Sequence, residues 1–97
     1  MIVVAQVSFP RESINQASKT FIDLEDLPAE IIKTGPFFNA ESDQVRVITM
    51  YHFTTDDRAE NIKFVQDRYK PFKGIVGFSS DIDGWRSFET AIGRFRS

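Results

Sequence analysis

The sequence predicts an α+β domain in which an antiparallel sheet carries two helices on one face. Three observations predict it. Apolar residues alternate with a period of two in the runs IVVAQVSF (2–9) and VRVITMYHF (45–53). They recur at three- and four-residue spacing over 12–27 and 56–70. The segments follow one another as β-α-β-β-α-β, and two crossovers of one helix each place both helices on the same side.

In the first strand, Val3, Ala5, Val7 and Phe9 share one face, and Ile2, Val4, Gln6 and Ser8 share the other. Both faces open apolar, as in a central strand covered on two sides. Pro10 closes the strand because it has no N–H for the ladder. The first helix, 12–27, is built on Ile14, Ala17, Phe21 and Leu24, and Pro28 marks its end. A second strand is expected over 29–35 around Ile31 and Ile32. Gly35-Pro36 then reads as a turn or bulge, and the run 39–44, polar but for Ala40, as a hairpin turn.

The third strand, 45–53, presents Val45, Val47, Thr49, Tyr51 and Phe53 on one face. Arg46, Ile48, Met50 and His52 lie on the other. Thr54-Thr55-Asp56-Asp57 reads as a helix start, with Asp57 and Glu60 at capping-box spacing. The stripe of that helix is Ala59, Ile62, Val65 and Tyr69, and Pro71 stops it. A last strand is expected over 75–82. Trp85, Phe88, Ile92 and Phe95 suggest an additional C-terminal helix. No linker or internal repeat divides the chain, so 1–97 reads as a single domain.

Composition excludes several classes. The 97 residues supply one hydrophobic core, with 41% hydrophobic residues and ten phenylalanines. A net charge of -2 gives no long-range field for nucleic acid. The absence of cysteine removes disulfides, thiolate catalysis and cysteine metal sites, and is compatible with a reducing cytoplasm. The short apolar start has no basic leader, so a signal peptide is not expected, and no run approaches a membrane span.

The element order and length resemble the ferredoxin-like fold, and in particular the dimeric alpha-beta barrel superfamily. VVAQVSFP at the start, GPFF before the hairpin, VRVITMYHF, and Gly77-Phe78 followed by Trp85 carry the resemblance. The chain is similar to a small uncharacterised bacterial family within that superfamily. The resemblance implies sheet-to-sheet pairing into a homodimer, with a cavity between sheet and helices or within the barrel. Members include cofactor-free monooxygenases and haem binders. No catalytic motif of the superfamily maps onto numbered residues here.

His52 is the only histidine. It reads either as a half-buried structural residue or as a proton acceptor. A histidine-cluster metal site is excluded. With the first and third strands adjacent and antiparallel, Ser8 falls beside Arg46 and Ile2 beside His52. Arg46 and His52 then stand six residues, about 20 Å, apart. Arg46, Ser8 and Gln6 form one polar group, and His52 belongs to another. Tyr69, at the end of its helix, is placed nearer the Arg46 end.

Asp56, Asp57, Asp81 and Asp83 are expected at the His52 end, as caps and loop residues or as a weak cation site. Asp81-Ile82-Asp83-Gly84 lacks the remaining ligands of a calcium loop. Tyr51 and Tyr69 fall at core periodicity. Trp85 covers the sheet edge or a cavity mouth.

Two function classes follow. One is a homodimeric domain that binds a small apolar molecule, with Trp85 and Met50 as ligand contacts, or that serves a structural role. The other is a cofactor-independent monooxygenase-like or isomerase-like enzyme with His52 as base and Asp83 as orienting carboxylate. No cofactor, nucleic-acid partner or membrane partner is expected.

Overall fold

The computed structural model describes residues 1–88. The element order is β1 (Ile2–Pro10), α1 (Ile14–Ile22), β2 (Ile32–Glu41), β3 (Gln44–His52), α2 (Arg58–Arg68) and β4 (Ser79–Trp85). Short 3-10 segments at Arg11–Ser13 and Lys70–Gly74 precede α1 and follow α2. The strands form one sheet in the order β2-β3-β1-β4, and every neighbouring pair is antiparallel. This α+β arrangement is compatible with a ferredoxin-like fold. No helix among the described residues is long and apolar enough to cross a membrane.

Alternation decides which face the helices cover. Val3, Ala5, Val7 and Phe9 of β1 are buried, as are Val45, Val47, Thr49 and Tyr51 of β3. Ala17, Val65, Tyr69, Phe72 and Ile75 join them from the helical layer. Burying each large apolar side chain contributes roughly 1.5–3 kcal/mol, so this layer holds the fold together. The register matches the sequence expectation, with Ile2 opposite His52 and Ser8 opposite Arg46.

Several boundaries differ from the sequence reading. α1 ends at Ile22 rather than residue 27. Asp23, Glu25 and Asp26 would place negative charge on the negative end of the helix dipole. Leu24 and Leu27 still pack on the core from the coil. β2 continues to Glu41, past an irregularity between Thr34 and Phe37. Gly35 makes this bulge with φ of 102°, where a Cβ would come 3.0 Å from the Ile48 carbonyl oxygen. Residues 39–41, with polar Asn39 and Glu41, pair with β3, because side-chain polarity does not end a ladder, and the turn shrinks to Ser42-Asp43.

α2 ends at Arg68. Its stripe is Val65 and Tyr69 with half-buried Ile62, while Ala59 is exposed and Asn61 is buried. The last strand begins at Ser79, not at residue 75. Ile75 and Phe78 are spent on the core instead: Phe78 stacks on Phe72 at 5.2 Å and Phe72 on Tyr69 at 5.4 Å. Trp85 therefore ends β4, and the expected helix through Ile92 and Phe95 lies outside the described residues.

Candidate functional site

The face of the sheet that no helix among the described residues covers, its open face, is read from register and alternation. At one end a row runs Ile32, His52, Ile2, Trp85 across β2, β3, β1 and β4. The next row is Thr34, Met50, Val4, Asp83. Ile32 and Trp85 are more than half exposed. His52 is half-buried, and its Nε2 lies 3.1 Å from the Thr34 hydroxyl.

Asp83 does not orient His52. It stands one row away with β1 between them, and it is committed to the outer edge of β4. There its carboxylate accepts from the Arg58 guanidinium and from the Gly84 N–H. Trp85, not Asp83, shares the row of His52. Met50 lies between Thr34 and Val4, half-buried. Asp81 and Asp83 sit within β4 rather than in a loop, which removes the calcium-loop geometry. Among the described residues no group of three His, Cys, Asp or Glu side chains is placed to hold a metal ion. Asp56 lies 3.9 Å from the N-terminal ammonium, and Asp57 caps α2 by accepting from the Glu60 N–H.

The hollow on this face lies at the opposite end. It has a volume of about 470 Å³, with Phe37 and Ile48 as its apolar patch and Arg46, Gln6, Ser8 and Asn39 as polar lining. Ser79 and Asp81 of β4 complete it. The hydroxyls of Ser8 and Ser79 meet at 2.6 Å across the β1–β4 pair. Arg46 donates to the Glu41 carboxylate at 2.6 Å, an exposed ion pair that solvent screens. The polar group of Arg46, Ser8 and Gln6 foreseen from register thus lines a cavity, and His52 does not.

A second cavity, of about 230 Å³, lies in the helical layer between the end of α1 and strands β2 and β3. Phe21, Leu24, Pro36 and the Tyr51 ring form an apolar wall, and Lys33, Arg68 and Thr49 complete the lining. The Tyr51 and Tyr69 hydroxyls are 2.9 Å apart and buried. The Tyr69 placement toward Arg46 misses this contact, since Tyr51 stands next to His52 at the other end of β3. Burial, with Tyr51 beside it, pushes the Tyr69 hydroxyl well above the usual tyrosine range. The Arg68 guanidinium lies 5.9 Å from the centre of the Tyr51 ring.

Periodicity alone gave no signal for this cavity: Lys33 and Arg68 are ordinary surface residues in the sequence and meet only through helix docking. Comparison with protein-family models, curated proteins and solved structures gives no match.

Proposed function

We propose that the chain acts as a homodimer paired through the open sheet face, holding a small apolar molecule at the Arg46 end of that face. One observation carries the reading. The 470 Å³ hollow coincides with exposed Phe37 and Ile48 on a face that neither α1 nor α2 covers. The partner is a second copy. Four strands about 4.8 Å apart and seven residues of about 3.3 Å each give a flat footprint of roughly 440 Å². Side-chain relief enlarges it towards the ~800 Å² per partner of a standard interface. Its edges carry balanced charges, Arg46 with Glu41 and Arg58 with Asp83, so a twofold-related copy meets no single-sign field. The dimeric alpha-beta barrel resemblance supports the same pairing, and the lack of cysteine supports a cytoplasmic setting.

The enzyme reading with His52 as base draws no comparable support. His52 borders none of the hollows described above, and its Nε2 is engaged by Thr34.

Sedimentation equilibrium at micromolar concentration tests the dimer, with twice the 11.1 kDa chain mass expected and a clean 11.1 kDa species refuting it. Fluorescence of a neutral apolar dye such as Nile red tests the ligand site. Ile48→Asp should abolish both the dimer and the dye signal. A dye response that Ile48→Asp leaves unchanged would remove the site from this face.

A further inference from the structure

We propose that the cavity between α1, β2 and β3 binds a small organic anion, a monocarboxylate with an apolar body. The site lies on the helix-covered side of the sheet and stands independently of the open-face reading.

The lining sets the charge. Lys33 and Arg68 both border the cavity, and among the described residues no carboxylate does. Lys33 sits on the edge strand β2, exposed, opposite Tyr51. Arg68 has no carboxylate partner among the described residues; its Nη1 donates to the Glu25 backbone carbonyl at 2.6 Å. Asp23, Glu25, Asp26 and Asp67 border the neighbouring hollow, which Arg68 also lines; all four are exposed and solvent-screened, and Asp67 is paired with Lys63 and Lys70.

The second observation is a missing hydrogen bond. Arg68 Nε is buried and has no partner among the described residues. Buried donors are nearly always satisfied, so an orphaned one calls for an acceptor. A guanidinium presents its donors in a plane that matches a carboxylate, and its carbon lies 5.9 Å from the centre of the Tyr51 ring, within cation–π range.

The walls set the rest of the ligand. Phe21, Ile22, Leu24 and Pro36 are apolar, and Tyr51 offers its ring, since its hydroxyl is taken by Tyr69. A volume of about 230 Å³ falls below the range of pockets for drug-sized molecules, which limits the occupant to about ten non-hydrogen atoms. A single aromatic or short branched ring carboxylate meets all of these conditions.

Benzoate is the probe, and benzyl alcohol its neutral counterpart. Titration of the ¹⁵N-labelled protein is followed at the Arg68 Nε–H and at the Thr49 and Tyr51 amides. Benzoate should shift all three saturably below about 10 mM, a weak limit suited to so small a ligand. Benzyl alcohol should bind at least about tenfold more weakly, the difference carried by the charge-assisted pair. Lys33→Gln, at an exposed position, should weaken benzoate about threefold, and Arg68→Lys about tenfold, since lysine keeps the charge and loses the fork.

Equal binding of the two probes would overturn the proposal. So would no saturable benzoate shift, or affinity untouched by Lys33→Gln and Arg68→Lys. Shifts confined to Ile48 and Arg46, on the opposite face of β3, would place the anion in the open hollow and also refute this site.

Discussion

The hydroxyls of Tyr51 and Tyr69 meet 2.9 Å apart in the buried layer between sheet and helices, one from β3 and one from the end of α2. Each hydroxyl is the other's partner in a buried layer. Tyr51→Phe and Tyr69→Phe should each cost about 1–2 kcal/mol, because each strands the remaining hydroxyl. The double variant should fall short of the sum by about 0.5–1 kcal/mol. Urea denaturation midpoints of the four proteins measure this, and strict additivity would show that the pair is not coupled.

Tyr69 also sets a dependence on alkaline pH. Its folded pKa is raised by burial above the ordinary value of 10.0. Above that value the unfolded chain loses this proton while the folded chain keeps it. The stability is therefore full below pH 10 and declines as pH rises further. The slope from this group approaches about 1.4 kcal/mol per pH unit. Tyr69→Phe should flatten that slope, as read from denaturation midpoints across the alkaline range.

Two glycines should respond in opposite ways to alanine. Gly77 has φ of 78°, and a Cβ there would meet the Pro10 ring at 2.5 Å. Gly77→Ala should cost about 1–3 kcal/mol through backbone strain and that contact. Gly74 has open space where a Cβ would go, and its φ is not in the left-handed region. Gly74→Ala should be neutral or stabilising by up to about 1 kcal/mol, through the reduced entropy of the unfolded chain. Thermal melts of the two variants make the comparison.

Asp57 closes the N-terminus of α2 through its side chain, which accepts from the Glu60 N–H at 3.1 Å. Asp57→Ala should destabilise by about 1 kcal/mol, and Asp57→Asn by much less, because asparagine keeps the acceptor. Hydrogen exchange at Glu60 should accelerate in the alanine variant. Equal loss in both variants would assign the effect to charge rather than to the cap.

The sheet was legible because its signals are local. Alternation in β1 and β3 fixes which side each residue faces, and antiparallel adjacency then fixes Ile2 against His52 and Ser8 against Arg46. The polar group at Arg46 followed from that register. The ends of elements were not legible, because tertiary packing decides them. Ile75 and Phe78 have the apolarity of a strand, yet the gap beside Phe72 takes them. Arg68 and Lys33 lie 35 positions apart, and no periodicity links them. Their meeting depends on how α1 stops at Ile22 and on how the following coil returns to β2. The pairing of His52 with Asp83 failed because β4 starts four residues later than its apolar run suggests.

The two outer strands also govern how copies of the chain avoid one another. On β2 the bulge at Gly35-Pro36 splits the rim into two short stretches, and Pro36 has no N–H to offer a newcomer. On β4 the Arg58 guanidinium reaches the Asp83 carboxylate at the rim, and the Gly84 N–H is already taken by the same carboxylate. A strand arriving from another molecule finds an interrupted template on one side and an occupied one on the other. Side-by-side growth into a fibril is thereby discouraged at both margins, although the strands themselves are rich in β-branched residues.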